Sequence, residues 1–555
     1  MQATGDALTT ALIQARFDAW VATWPGLGTR FGLHQHDGRL PDLSRGAMLA
    51  DIEAEAAFVR RLEAVDRTTL SERVAFERDL ALHSARLRLF EAEVVRSWER
   101  TLNACDEIGD ALFLLVARDF APLAERLVPV TARIEAVPQA LQQVRDRLGE
   151  APVRPWMEQE RDAASELPQL LAEILTGASS VWRAGSTDHR RLVAAVESAE
   201  RALGDYARWI DSQVDRYAGR ASLGADDLDR LIELRAFDGL STDDILAVGL
   251  EQLEVQHGAR REAGRMIDPT LDEAAAVELV KSDGPADFEA ALEAYRAAML
   301  RAREHIARHD LVTLPADDVL EVIPTPVFMR RMMPLAAYFD PATFDHPARG
   351  TYVVTPSVDG DAGAMREHNW SSIVNTSVHE AYPGHHLQLT AARAAPTPAR
   401  LMVEAPEFVE GWGMYCEQMM LEQGFEDTPA RRVIVATDAI WRAARIVLDI
   451  RLHRGEISVD DGVDFLVQHT GFERPVARAE VLRYTTAPGY NLSYLLGKNL
   501  LLRLRADEQA RTGKEFSLKG FHDALIYSGS LPISYHRRLL AGEGGGPTPP
   551  PSPGA

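Results

Sequence analysis

Three histidines and a glutamate fall within eight residues of "VHEAYPGHHLQL", Val378 to Leu389. Imidazoles and carboxylates together form the donor set for a divalent cation, zinc above all. The stretch nearly spells His-Glu-x-x-His. In that motif two histidines one helical turn apart hold zinc, and the glutamate acts as general base of a metalloprotease. Here the second histidine comes late, with His385 at i+6 and His386 at i+7 from His379. On a regular helix i+6 points roughly 240° round from i, and i+7 lies about 10.5 Å further along the axis. Neither position chelates from straight geometry.

Pro383 offers a way out. It has no N–H for the His379 carbonyl and its ring clashes with that carbonyl, so a straight helix cannot pass. Gly384 then permits an unusual backbone. If Pro-Gly lets two residues bulge out, His385 recovers the i+4 position. His379 and His385 are then the preferred ligands and Glu380 the base. His386 is the alternate ligand, or a contact behind the metal or to substrate. The competing reading is a histidine-rich loop that holds nothing. Histidines at helical spacing do recur in this chain. "EHIARH" places His305 and His309 at i and i+4, but Glu304 precedes the first histidine and the segment is highly charged. That pair reads as a solvated helix face.

A third ligand is expected on a second helix. "EAPEFVEGWGMYCEQMM" places Glu410 25 residues past His385, among Phe408, Val409, Trp412 and Met414. A carboxylate in apolar surroundings is costly unless it has a partner, and a metal is one. Glu410 is the preferred third ligand, and Glu417, two turns on, supports the site from behind. Glu407, one turn earlier, is the less favoured carboxylate. One zinc per chain follows. It would lower the pKa of a water while Glu380 moves the proton to the leaving amine. Tyr494 is the candidate donor to the developing oxyanion, with Tyr484 and Tyr490 behind it. Ligand imidazoles need an acceptor on their second nitrogen, and Asp449 and His453, at i and i+4, could serve. Arg442 and Arg445 could bind a substrate carboxylate, although a salt bridge from Arg445 to Asp449 explains that arginine as well.

The segments "HEAYPGHHLQ" and "EGWGMYCEQ" resemble the DUF885 family of bacterial proteins, placed among the zincin-like metallopeptidases of the glutamate-ligand type. "RAARIVLDIRLH", "YTTAPGYNLSYLLGK", "FHDALIYSGSLP" and, near the start, "PGLGTRFGLHQHDGRLPDLS" are similar to further family segments in the same order. The resemblance spans nearly the whole chain. One departure is Tyr490, where the family pattern has Gln. The resemblance implies a mainly α, large helical zincin-like fold with a deep cleft and one zinc, and a peptidase on short peptides. Alternatives are a zinc amidohydrolase on a non-peptide amide or acyl-amino acid, and a non-catalytic peptide-binding protein.

The elements that must position these residues are mostly helical by composition and spacing. "MLADIEAEAAFVRRLEAV" and "FEAALEAYRAAMLRAREHIARH" have apolar residues at helical spacing, and "STDDILAVGLEQLEV" opens with capping residues and acids. Strand signal is confined to "DVLEVIPTP" and "GTYVVTPS", which predicts a small β-sheet beside the metal site. Residues 1–315 are expected to form an N-terminal helical region walling the cleft, and 316–540 the metal-binding region. The Gly/Pro-rich 541–555 are expected to be disordered. Of 555 residues, 46% are apolar, enough for a large core. A net charge of -23 disfavours nucleic acid as a partner. Two cysteines exclude a disulfide scaffold. Neither a secretory signal nor an apolar run of spanning length is present, so no membrane partner and a cytoplasmic location are expected.

Overall fold

The computed structural model describes residues 2–316, 318–326, 330, 333, 335–345, 348–356 and 365–550. Helix dominates it, and the helices start where a side chain can satisfy free first-turn N–H groups. Ser44 accepts from the Ala47 N–H at the head of Arg45–Glu63, and Asp287 from the Ala290 N–H at the head of Phe288–His309. Ser241 and Asp244 cap reciprocally at the start of Thr242–Ile267.

The chain divides into two compact units. The first comprises Met1–Ser71, Ala81–Ala221 and Ala342–Asp345, the second Glu72–Leu80, Ser222–Pro341 and His346–Ala555. In the first, the helices Leu123–Arg147, Arg154–Val181 and Thr187–Ser212 pack on one another. The buried Glu160 carboxylate accepts from the Ala104 and Cys105 N–H groups and the Tyr206 hydroxyl, so it closes the start of helix Ala104–Ala117. The units part at 221/222 and not at the 315/316 boundary expected from sequence. The reason is shared burial: Ile245, Leu253, Tyr295 and Ile306 lie in one apolar cluster with Val378, Trp412 and Leu448.

The second unit carries all the chemistry considered below. Its helices are α1 (Thr242–Ile267), α2 (Phe288–His309), α3 (Trp370–Glu380), α4 (His385–Ala392), α5 (Pro406–Glu422), α6 (Pro429–Arg454) and α7 (Ser493–Thr512), among others. Helix α1 packs along α6 and α5 along α7. Three strands, β1 (Asp318–Pro324), β2 (Ala336–Phe339) and β3 (Ala348–Val354), form a mixed sheet of order β1-β3-β2. Strand β1 runs parallel to β3 with Val322 opposite Tyr352; β2 runs antiparallel with Tyr338 opposite the same residue. Two strands were legible in sequence and β2, at four residues, was not. Position 357 of the second expected strand lies outside the described residues.

In the C-terminal segment, expected from composition to be disordered, Thr548 donates its N–H to Ser528 Oγ at 3.0 Å and accepts from Arg400 at 3.3 Å. Residues 551–555 lie outside the described residues. No helix among the described residues is long and apolar enough to cross a membrane.

Candidate metal site

The histidine-rich stretch does not form one bulged helix. Helix α3 ends at Glu380 and α4 begins at His385. Between them the Gly384 N–H returns to the Val378 carbonyl at 3.0 Å, and the Leu387 N–H reaches the Ala381 carbonyl at 3.3 Å. The break is held from outside, because the Trp412 indole N–H donates to the Pro383 carbonyl at 2.8 Å. A Cβ on Gly384 would sit 1.7 Å from the His379 carbonyl oxygen, so only glycine lets the chain fold back this tightly. The expectation that His385 recovers an i+4 place on one helix is thus corrected. A new helix presents it instead, and the two rings meet edge-to-face with centroids 4.7 Å apart.

Single ligand atoms of His379, Glu380 and His385 lie within 4.8 Å of one another, which makes these three a possible metal-binding group. Glu410, on α5, faces the same point. Its Oε2 lies 3.5 Å from His385 Nε2 and 3.8 Å from His379 Nε2. Zinc–nitrogen and zinc–oxygen bonds of 2.0–2.2 Å in a tetrahedron separate ligand atoms by about 3.3–3.6 Å, close to these spacings, so the donor set suits such an ion. Gly413 makes room: a Cβ there would come within 2.6 Å of the His379 ring.

Behind the histidines stands a carboxylate network. His379 Nδ1 lies 2.7 Å from Glu417 Oε1, which orients the ring and leaves Nε2 toward Glu410. Asn375, one turn before His379, donates to Glu417 at 3.1 Å and to Asp438 at 3.0 Å. Arg442 pairs with Asp438 at 3.3 Å. Sequence reasoning missed Asn375 and Asp438. Their signal was faint: each sits four residues before a site candidate, Asn375 before His379 and Asp438 before Arg442. His385 Nδ1 is buried with no hydrogen-bond partner among the described residues.

The electrostatics follow from burial and pairing. Burial opposes the charged form of His379, yet hydrogen bonds to Glu410 and Glu417 prevail and raise it to about 10. Burial alone would raise Glu410, but His379 and His385 hold it well below the usual carboxylate range. Glu417 is likewise lowered, with burial overcome by His379, Arg442 and Asn375. Glu380 is raised by burial, with His385 and His379 pulling the other way. Burial pushes Glu407 up to about 7, with a backbone hydrogen bond and the charge of Arg235 pulling the other way.

The remaining candidates divide. His386 turns away from Glu410: its Nδ1 lies 3.0 Å from the Tyr338 hydroxyl and its Nε2 3.8 Å from Asp318. Asp449 holds a turn, not a ligand imidazole, and accepts from the Gly489 N–H, the Asn491 N–H and the Asn491 side-chain amide. His453 meets the Tyr484 carbonyl at 3.1 Å. Tyr484 is fully buried and bonds to Glu480, Trp441 and Arg445. Arg445 pairs with Glu480 and lies over Trp441 and Tyr494. Its carboxylate partner is therefore Glu480 and not the Asp449 that sequence spacing suggested. Tyr490, not Tyr494, reaches the carboxylate of Glu410, with its hydroxyl 3.4 Å from Oε1. Tyr494 stands edge-on behind it at 6.2 Å. Burial first, and Glu410 next, push the Tyr490 phenol far above its ordinary value, which keeps it a donor.

The family model described as "Bacterial protein of unknown function (DUF885)" matches residues 25–540. The chain belongs to the DUF885 family. Among curated proteins nothing matches it. Two solved structures share its fold. One is described as a candidate lipoprotein of unknown function from Shewanella oneidensis, at 20% identity and TM-score 0.78, covering 96% of this chain and 99% of that one. The other is a candidate lipoprotein from Colwellia psychrerythraea, at 16% identity and TM-score 0.81, covering 97% and 98%. At these identities the likeness shows a shared fold and no activity.

Proposed function

We propose that this DUF885 protein is a zinc-dependent hydrolase of the zincin type that cleaves amide bonds in short peptides. The observation that supports it most is the convergence of one Glu410 oxygen on both histidine Nε2 atoms, with Glu380 in the same group. His379, His385 and Glu410 would hold the ion, and Glu417 would fix the His379 tautomer. A bound zinc would supply Lewis acidity and lower the pKa of a bound water toward neutrality. Glu380 accepts the proton as water attacks the carbonyl carbon and passes it to the departing nitrogen. Its burial supports this role, because a base with a raised pKa is also a competent acid in the second half of the reaction. Tyr494 remains the proposed donor to the oxyanion.

The names of the two similar structures favour a place in the cell envelope over the cytoplasm expected from sequence. The test of function has two parts. Metal analysis should find one zinc per chain, and a library of short peptides should yield cleavage products. Glu380→Gln should keep the zinc and lose about 10²–10⁴-fold in rate, the usual worth of a general base. Full hydrolysis by that variant would remove the assigned base. Cleavage of acyl-amino acids but not peptides would move the substrate to non-peptide amides.

A further inference from the structure

Two carboxylates in this unit are linked through a single turn of chain. Asp449, wholly buried on α6, accepts three hydrogen bonds from the turn ahead of α7: Gly489 N–H at 2.8 Å, Asn491 N–H at 3.2 Å and Asn491 Nδ2 at 2.9 Å. One helical turn on, His453 meets the Tyr484 carbonyl at 3.1 Å. Both ends of the 484–491 segment are thus pinned to the same face of α6. The residue between the pinned positions 489 and 491 is Tyr490, and its hydroxyl is the group that meets Glu410 Oε1. The two oxygens of Glu410 have different partners. Oε2 faces both histidines, while Oε1 takes the phenol.

We infer that Asp449 is a positioning residue for the metal site, acting through Tyr490 to hold Glu410 with one oxygen toward the histidines and the other occupied. This rests on the assignment of His379, His385 and Glu410 as ligands. The physical reason is selective. A carboxylate free at both oxygens can rotate and offer either or both of them to a cation. One that accepts a hydrogen bond on Oε1 presents Oε2 alone, which leaves room for water. The turn supplies this donor only while its backbone is fixed. Its N–H groups at 489 and 491 would otherwise have no acceptor in a buried place, so Asp449 decides where Tyr490 stands.

The test is zinc affinity, measured by competition with a chromophoric chelator on the full chain, with melting of the metal-free protein run in parallel. Tyr490→Phe removes only the hydroxyl and should weaken zinc binding about 10–100-fold, the usual effect of losing a partner behind a ligand. Asp449→Ala should match it, Asp449→Asn should fall between, and the Asp449→Ala/Tyr490→Phe double variant should be no weaker than the worse single. Glu410→Gln marks the loss of a ligand itself. Unchanged affinity in Tyr490→Phe, or additive losses in the double variant, would overturn the inference while leaving the ligand set intact. Asp449→Ala that lowers the melting temperature without changing zinc affinity would make the residue merely structural and would also overturn it. A wild-type chain that takes up no zinc would remove the ligand set and this inference together.

Discussion

Two histidine pairs of this chain make a contrast, one at a regular helical interval and one not. His305 and His309 sit at the regular i, i+4 interval on α2, with rings stacked at 4.2 Å. His305 rests partly buried against Phe425, where burial lowers its pKa, and Glu304 nearby is engaged by Arg308. The expectation of a solvated face is corrected for His305. His379 and His385 have the irregular interval, yet Glu380, Glu410 and Glu417 surround them. A regular interval on one helix brings rings together. A site needs carboxylates from other helices. The same lesson recurs along α5: Glu407 and Glu410 are one turn apart, and only Glu410 meets imidazoles. One is therefore pushed up to about 7 while the other is held low.

The two pairs are told apart most sharply by taking histidines away from each in turn. His379→Ala should abolish zinc uptake, whereas the His305→Ala/His309→Ala double variant should keep one zinc per chain by metal analysis. Equal losses in both would mean that the contrast is false. Next in size is Glu417→Gln, which leaves the ligands but weakens the acceptor for His379 Nδ1. Zinc affinity should drop about 10–100-fold in chelator competition.

A smaller effect separates the two α5 glutamates by pH. The folded-state pKa of Glu407 is raised above its ordinary 4.5, to about 7. Its neutral form is preferred in the fold, so stability is fully present below about 4.5 and lost as pH rises through about 7. Glu407→Gln should flatten that part of the stability curve and gain up to about 3 kcal/mol at pH 8 by denaturant unfolding. A curve that falls as steeply in the variant would show that another group is responsible. The smallest change is Trp412→Phe. It leaves the Pro383 carbonyl without its indole donor and should cost about 1–3 kcal/mol of stability. Zinc stoichiometry should not change.

Much of the helical fold was legible because caps and apolar spacing are local. Ser241 and the texture of Phe288–His309 announced their helices directly. The short strand β2 had too few residues to announce itself. At the site, His379, Glu380, His385 and Glu410 stood out as residue types that are costly to place in apolar surroundings. Asn375 and Asp438 did not, because an amide and a carboxylate on helices read as ordinary surface until their partners are known.

Sequence alone determined that a straight helix could not run through Pro383, since a residue without an N–H and with a ring against the carbonyl four residues before kinks or breaks the helical ladder. It also determined that imidazoles and carboxylates of the right type were available within a short span. Only the tertiary structure decided which of them converge. That choice depends on how α4, α5 and the 484–491 segment pack against α3 and α6. Side chains far apart in the chain meet through burial and shared hydrogen bonds, which no local interval encodes.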